Sequence, residues 1–354
     1  MLLVLNTGSS SIKMALFRPD LEQVLEGQVT AIGGQARLSL GAAKKRLDAT
    51  SHSAGIAAIL DALEDQGITA TDITAAAHRV VHGGTALTAP ARLDDAAIAA
   101  IEANVPLAPL HNPPALAGIR AVTETLPDLP QYASFDTAFH ADQPALATTY
   151  AIPAAWRAKG LRRYGFHGLS YAGMVAQFGD ALPDRLLALH LGAGVSLCAI
   201  RDGTSLSTSM GYSPLSGPTM ATRSGDIDGM AVLRMAEEIG IAAAGHLLNT
   251  DSGLAALGGT PDMRDLLADD SDAARFAVDH FVWSVTHQAG ALIADMGGVD
   301  AVAFTGGIGE HSEEIRRRIM DRLAWVGPLP VHVIAAEEER QIARDALAVI
   351  GREG

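Results

Sequence analysis

The sequence has only one cysteine, Cys198, among its 354 residues. A single cysteine excludes a disulfide within the chain and favours a reducing compartment, and we expect the cytoplasm. Cys198 stands in an apolar run, which is typical of a small buried side chain. The first residues also lack the basic segment of a signal peptide.

Basic residues are scarce as well. Lysine and arginine number 26 against 40 acidic residues, which gives a net charge of −14. This balance argues against nucleic acids and anionic membrane surfaces as partners, because both need a basic face. A charge-free stretch at residues 103–119 contains four prolines and is a poor membrane span. A small anionic ligand is not excluded, since a few arginines in one cleft suffice to bind it.

Two segments share one plan, in which an apolar strand, a small-residue loop and a second apolar strand follow each other. They read LLVLNTGSSSIKMALF at 2–17 and LLALHLGAGVSLCAI at 186–200. The repeat predicts two related domains, for which the chain is long enough. Strands and helical patterns alternate elsewhere, as in the helix predicted at 272–296 before two glycines, so we expect an α/β protein.

Three glycine-rich turns follow predicted strands, at Gly8, at residues 192–194 and at residues 306–309. Glycine lets backbone N–H groups approach an anion closely, and consecutive N–H groups form an anion-binding concavity. No turn has the GxxxxGK[ST] pattern of a P-loop or the GxGxxG pattern of a dinucleotide-binding fold. The three turns together favour a nucleotide-phosphate site of another type.

Charged groups in apolar surroundings form the second signal. HRVVHGG places Arg79 in an otherwise apolar strand, and a buried arginine is expensive unless it is paired. RRYGFHGLS places His167 between glycines, MATRSGDID places Arg223 among small residues, and Asp136 follows another strand. Phosphoryl transfer needs cations on the transferred oxygens and a group that aligns the attacking atom. These four residues could supply both.

The motifs resemble those of the acetate kinase family, and they occur in the family's order from residue 2 to about residue 345. They are LNTGSSSIK, HRVVHGG, PLHNPPAL, FDTAFH, RRYGFHGLSY, HLGAGVS, MGYSPLSGPTMATRSGDID, DMRD and FTGGIGE. The resemblance implies two duplicated actin-like (ribonuclease H-like) domains around a nucleotide cleft, usually in a homodimer. We expect one domain at 1–140 with about 340–354, and the other at 141–339.

The resemblance also implies a reaction, in which ATP and acetate give ADP and acetyl phosphate reversibly with Mg²⁺, or Mn²⁺ in its place. It assigns the catalytic roles to Asp136, His167, Arg223 and Arg79, and the metal site to Asn6 and Glu338. It assigns the acyl pocket to Arg79, Val81, Leu110, His111, Phe166 and Pro214. It assigns ATP binding to Ser9, Ser11, Lys13, His190, Leu191, Gly192, Ala193, Gly194, Asp262, Met263, Arg264, Gly307, Ile308, Gly309, Glu310 and His311.

This chain departs from the family pattern at a few positions. Ala193 and His311 stand where the family has asparagine, Ser216 where it has glutamate, and Ala221 where it has glycine. A segment between Trp325 and Val331 is also shorter. These changes leave the catalytic set intact, and we expect them to affect nucleotide or phosphoryl-donor choice, dimer contacts and the favoured direction.

Three other functions remain open. A propionate or other short-chain acyl kinase shares the chemistry, and one methylene is worth only about 1–3 kcal/mol of discrimination. A sugar kinase on the same fold would need a base for a hydroxyl group, whereas Val81, Leu110 and Phe166 favour a small carboxylate. A non-catalytic nucleotide switch would keep the glycine turns but would have little use for the four charged residues together.

Overall fold

The computed structural model describes residues 1–353 and divides them into two compact units. The first unit contains residues 1–141 and the C-terminal segment from Glu337, and the second contains residues 142–336. The chain thus re-enters the first unit a few residues before the expected position of about 340. Each unit is built around one sheet.

The strands and helices alternate along the chain, as expected for an α/β protein. The strands are β1 (Leu2–Thr7), β2 (Ile12–Phe17), β3 (Gln23–Thr30), β4 (Arg37–Leu40), β5 (Ala43–Arg46), β6 (Ala75–Val80), β7 (Ala91–Arg92), β8 (Gln131–Phe135), β9 (Arg185–Leu191), β10 (Val195–Arg201), β11 (Thr204–Thr208), β12 (Ala301–Thr305) and β13 (Val331–Val333). The helices are α1 (His52–Glu64), α2 (Asp95–Ala103), α3 (Asn112–Thr125), α4 (Ala145–Thr148), α5 (Ala154–Arg157), α6 (Gly168–Phe178), α7 (Gly229–Ile239), α8 (Ile241–Thr250), α9 (Gly253–Gly258), α10 (Met263–Ala268), α11 (Asp272–Met296), α12 (Gly306–His311), α13 (Glu313–Arg322) and α14 (Glu338–Glu353).

The two sheets repeat one topology, which confirms the internal duplication. The first sheet has the order β5-β4-β3-β2-β1-β6-β8-β7, and the second has the order β11-β10-β9-β12-β13. In both, an antiparallel meander (β1–β3 or β9–β11) is extended by two strands parallel to its first member. The strand–loop–strand repeat seen in the sequence is the first hairpin of each meander.

In the first unit, helices cover both faces of the sheet. Ala133 and Phe135 of β8 pack in a cluster with residues of α3, while the Tyr132 hydroxyl donates to Glu353 of α14 at 3.0 Å. Because side chains alternate along a strand, Tyr132, Ser134 and Asp136 share the face covered by α14. This face therefore carries polar groups into contact with the C-terminal helix.

In the second unit, the long helix α11 packs on β9, β10 and β11. It ends at Met296, and Gly297 adopts the left-handed conformation that closes its last turn (φ +69°), as the sequence predicts. Cys198 is buried in β10, and burial raises the pKa of its thiol to about 12, which confirms its structural character. None of the helices in residues 1–353 combines the length and the apolar composition needed to cross a bilayer.

Two local predictions are wrong. The four prolines of residues 104–114 predict an irregular loop, but α3 begins at Asn112 with Pro113 and Pro114 in its first turn, where the missing N–H groups need no partner. The glycines after β12 form the short helix α12 rather than a turn, and Ser312 then caps α13. Both segments place a helix N-terminus directly after a polar or glycine-rich motif.

Candidate active site

In the first unit, strand direction gathers three of the expected residues at one edge of the sheet. Strands β1, β6 and β8 are parallel, with Leu5 next to His78 and Arg79 next to Ser134. Asn6, Arg79 and Asp136 lie at or just beyond the carboxyl ends of these strands. This edge is where open α/β sheets usually bind ligands.

Arg79 pairs with two carboxylates at this edge. Its Nε and Nη2 donate to the two Asp136 oxygens at 3.1 and 2.7 Å, and its Nη1 lies 3.2 Å from Glu338 Oε2. Burial lowers the pKa of the guanidinium, but Asp136 and Glu338 raise it by more, so Arg79 stays charged. Burial raises the pKa of Asp136, Arg79 opposes the rise, and Glu338 adds to it.

The first loop joins β1 to β2 and keeps its hydroxyl groups at the surface. The Gly8 amide donates to the Ser11 carbonyl at 2.8 Å, and His52 Nε2 lies 2.9 Å from the Gly8 carbonyl. Ser9 is exposed, and Lys13, also exposed, is the strand partner of Asn6. The loop is therefore held by its backbone, which leaves its side chains available for a ligand.

Three expected pocket residues lie around a second junction in the first unit. The buried Asn112 side chain accepts from the His82 amide at 3.1 Å and donates to its carbonyl at 3.0 Å. This pair ties the end of β6 to the start of α3. Val81 and His111 are thereby held near each other, and Leu110 is exposed beside them.

In the second unit, three distant segments line one cavity of about 940 Å³. They are the β9–β10 turn with Gly192 and Ala193, the start of α10, and helix α12 with the residue after it. Apolar side chains such as Met263 and Ile308 face the same space as the glycines. Its lining residues are Gly192, Ala193, Ala221, Pro261, Asp262, Met263, Arg264, Leu267, Ala268, Gly307, Ile308, His311 and Ser312.

Two charged members of the expected nucleotide set hold the cavity in shape. Asp262 caps α10, and the hydrogen bond from the Arg264 side chain lowers the pKa of Asp262 to about 2. Glu310 Oε1 accepts from the backbone amides of Gly306 and Ala336, each at 3.0 Å. The Glu310 carboxylate therefore braces α12.

The two expected histidines of the second unit stack on each other. The rings of His167 and His190 lie 4.1 Å apart at an angle of 21°. His167 Nδ1 is 2.8 Å from Ser196 Oγ, and His190 Nδ1 is 2.8 Å from Ser170 Oγ. Each imidazole is thus fixed by one serine.

Arg223 lies close to the same turn. A methyl group built on Gly194 would lie 3.1 Å from His167 Nε2 and 3.5 Å from Arg223 Nη1. Arg223 Nη1 also donates to the Pro214 carbonyl at 3.1 Å. The structure therefore brings His167, Arg223 and the glycine turn together, with Pro214 beside them, while Phe166 is buried in the same unit.

Several contributing residues were not assigned from the sequence. Ser196, Tyr171 and Ser170 hold the two histidines, although each stands within a motif that was noted. A signal was present for Ser196, because an antiparallel hairpin centred on residues 192–194 places it opposite His190. Gly253, the first residue of α9, packs against the backbone of Arg223, and no sequence signal predicts this contact because the two segments are distant in the chain.

The first unit has groups that suit a divalent cation. Mg²⁺ is usually bound through one or two carboxylates, water and substrate phosphates rather than by a protein cage. Asp136 and Glu338 converge on Arg79, and Asn6 lies at the same edge, so the residues fit such a site. Residues 1–353 contain no cluster of three or more His, Cys, Asp or Glu side chains that could hold a metal by themselves.

Comparisons with known proteins agree with this arrangement. The sequence model of the acetokinase family matches residues 1–346. An acetate kinase from Methylocella silvestris is 37% identical over 394 aligned positions, which cover 98% of this chain and 97% of the relative. The alignment is longer than this chain, so the relative contains segments that are absent here.

Solved structures give the same result. A propionate kinase from Francisella tularensis superposes with a TM-score of 0.93 at 33% identity, covering 97% of this chain and 98% of its own. An acetate kinase from Porphyromonas gingivalis superposes with a TM-score of 0.90 at 32% identity, covering 99% of both chains. The fold of this chain is that of the acetate and propionate kinases.

A substitution at Gly253 tests how the backbone of Arg223 is held in place. Its φ is +64°, and an added methyl group would overlap the Met220 carbonyl oxygen and lie 2.7 Å from the Arg223 carbonyl oxygen. Gly253→Ala should therefore lower the free energy of unfolding by about 2 kcal/mol or more, measured by urea denaturation.

The matched control is Gly245→Ala in α8, where nothing lies within 4 Å of the added methyl group. It should leave stability unchanged or raise it by up to about 1 kcal/mol. Equal stability of the two variants would contradict the packing described for Arg223.

Proposed function

Because this chain belongs to the acetokinase family and is a carboxylate phosphotransferase with an actin-like fold, we propose that it transfers the γ-phosphoryl group of ATP to acetate. The products are acetyl phosphate and ADP, and the reaction is reversible. The single cysteine suits work in the reducing cytoplasm.

The observation that carries this proposal is the cavity of the second unit. Three segments separated by dozens of residues converge on it, and all three contain residues expected to bind ATP. The glycine backbone on one side of the cavity can bind phosphate through its N–H groups. Met263 and Ile308 can pack against the ring of the nucleotide base. A volume of about 940 Å³ accommodates a nucleotide.

Direct in-line transfer fits the charged groups. Acetate is already ionised at neutral pH, since free carboxyl groups titrate near pH 4, so no base is needed. Arg79 and Arg223 would bind the acetate carboxylate and the oxygens of the transferred phosphoryl group. His167 would donate a hydrogen bond to the same oxygens as charge develops on them.

Asp136 has an orienting role in this proposal. It is buried and binds Arg79 through both oxygens, which fixes the guanidinium rather than freeing the carboxylate to accept a proton. With Asn6 and Glu338, it would hold Mg²⁺. When bound, the ion neutralises charge on the β- and γ-phosphates. Ser9, Ser11 and Lys13 would contact the phosphate end of ATP from the first loop.

Propionate is the second candidate substrate. The Francisella tularensis relative, at 33% identity, is a propionate kinase. The residues expected to form the acyl pocket, Val81, Leu110, Phe166 and Pro214, are all apolar and would tolerate one more methylene. We therefore expect measurable turnover of propionate and faster turnover of acetate.

The test is acyl-phosphate formation trapped by hydroxylamine, with ATP and Mg²⁺ and with acetate, propionate or butyrate in parallel. Wild type should turn over acetate best. Arg223→Ala should lower kcat by about 10²–10³, because it removes a donor that stabilises transition-state charge.

Arg201→Ala is the matched control, because Arg201 is an exposed arginine at the end of β10 that pairs with the neighbouring Asp202. It should keep wild-type activity. Absence of acyl phosphate with every acid would refute the proposal and direct attention to other phosphoryl donors.

We also propose that the protein is a homodimer. No residue of α7 is buried, and its apolar face is exposed, with Met230 71% and Leu233 56% exposed. Ile239 and Ile241 continue the patch onto α8, where Ile241 is 85% exposed. Arg234 and Glu238 pair beside it, so the surface offers both signs of charge to an identical copy.

Sedimentation velocity tests this assembly. Wild type should sediment as a dimer, and Leu233→Glu should shift it towards monomer by placing a charge in the apolar contact. Leu146→Glu is the control, since Leu146 is 97% exposed but lies outside the patch. A monomeric wild type would refute the dimer.

A further inference from the structure

His167 ends a chain of two buried hydroxyl groups. Its Nδ1 lies 2.8 Å from Ser196 Oγ, which lies 2.6 Å from the Tyr171 hydroxyl. Ser196 and Tyr171 are fully buried, so water does not compete for these bonds. Tyr171 follows His167 by one helical turn, and Ser196 comes from β10.

The acidities of the two hydroxyl groups set the direction of these bonds. A phenol is more acidic than an aliphatic alcohol and is therefore the stronger donor, so the Tyr171 hydroxyl donates to Ser196 Oγ across 2.6 Å. Ser196 has one proton, which it then gives to His167 Nδ1.

A ring nitrogen that accepts a hydrogen bond carries no proton. In a neutral imidazole the proton must then be on the other nitrogen, Nε2. Nε2 faces Gly194, and Arg223 Nη1 approaches the same position. A second positive charge beside Arg223 would be unfavourable, which also favours the neutral ring.

We propose that Tyr171 and Ser196 are positioning residues, which hold His167 as the neutral Nε2–H tautomer and aim that proton at the β9–β10 turn. This inference rests on the proposed function in one respect, namely that the phosphoryl group is transferred beside that turn. There, His167 donates through Nε2 without gaining or losing a proton during transfer.

The backbone of His167 indicates that this arrangement is held firmly. Its φ is +58°, in the left-handed region that non-glycine residues rarely adopt, at the residue that precedes α6. Such a conformation persists only where its surroundings fix it. The hydroxyl chain on one side of the ring and the stacked His190 on its face provide that fixation.

Ring nitrogen NMR of the full-length protein, without substrates, reads the tautomer directly. Histidine rings are labelled with ¹⁵N, and His167 is assigned from the spectrum of His167→Gln. At pH 8, wild type should show a protonated Nε2 and an unprotonated Nδ1. A proton on Nδ1 would overturn the proposal, and the tautomer itself is read on the wild-type protein.

Two variants test the chain itself. Ser196→Ala and Tyr171→Phe each remove one oxygen, and both should give a mixture of tautomers at His167. Both should also lower kcat for acetyl phosphate formation by about tenfold, with the KM for acetate nearly unchanged. Ser170→Ala is the control, because it removes the serine bound to His190 and should leave the His167 tautomer as in wild type.

The outcomes separate this inference from the proposed function. An Nε2–H tautomer that is lost in Ser196→Ala, in a protein that makes no acyl phosphate, would support the hydroxyl chain and refute the function. An active protein whose tautomer and kcat are unchanged in both variants would overturn the hydroxyl chain and leave the function standing.

Discussion

The ion cluster of Arg79 with Asp136 and Glu338 is the constraint on which the first unit depends. A buried guanidinium without a partner is strongly unfavourable, and so is a buried carboxylate. Each group is tolerated because the others are present. The cluster joins β6, the residue after β8 and the first residue of α14, so the last helix of the chain is fixed to the central strands at the edge that carries the candidate site.

The cluster also has a chemical consequence. Two carboxylates lie on one guanidinium, at the edge of the sheet that also carries Asn6. Burial raises the pKa of Asp136, Arg79 opposes the rise, and the nearby Glu338 adds to it, as expected for like charges held together. A further cation would relieve this repulsion, which supports a Mg²⁺ site here. In the second unit the same topology carries different loops, and two serine-bound imidazoles lie at the glycine turn together with Arg223.

The sequence predicted those features that depend on residues close to each other along the chain. The end of α11 at Gly297 is set by local glycine conformation, and the repeat of β1–β2 in β9–β10 is visible as a pattern of apolar residues. The predictions from sequence were wrong where glycine or proline is compatible with both a turn and the start of a helix, as at α12 and at the start of α3. They did not include the Tyr171–Ser196 chain or the contact of Gly253 with Arg223, because these depend on the register of strands and on contacts between loops distant in sequence.

The central claim, that Arg79 and Asp136 are tolerated only together, is tested most directly by a double-mutant cycle in urea denaturation. Arg79→Met should lower the free energy of unfolding by about 3–5 kcal/mol, because it leaves Asp136 and Glu338 without their cation. Asp136→Leu, which leaves Arg79 with Glu338 alone, should also lower it. The double variant should lose less than the sum of the two, by at least about 2 kcal/mol. Losses that add to within about 0.5 kcal/mol would contradict this account of the site.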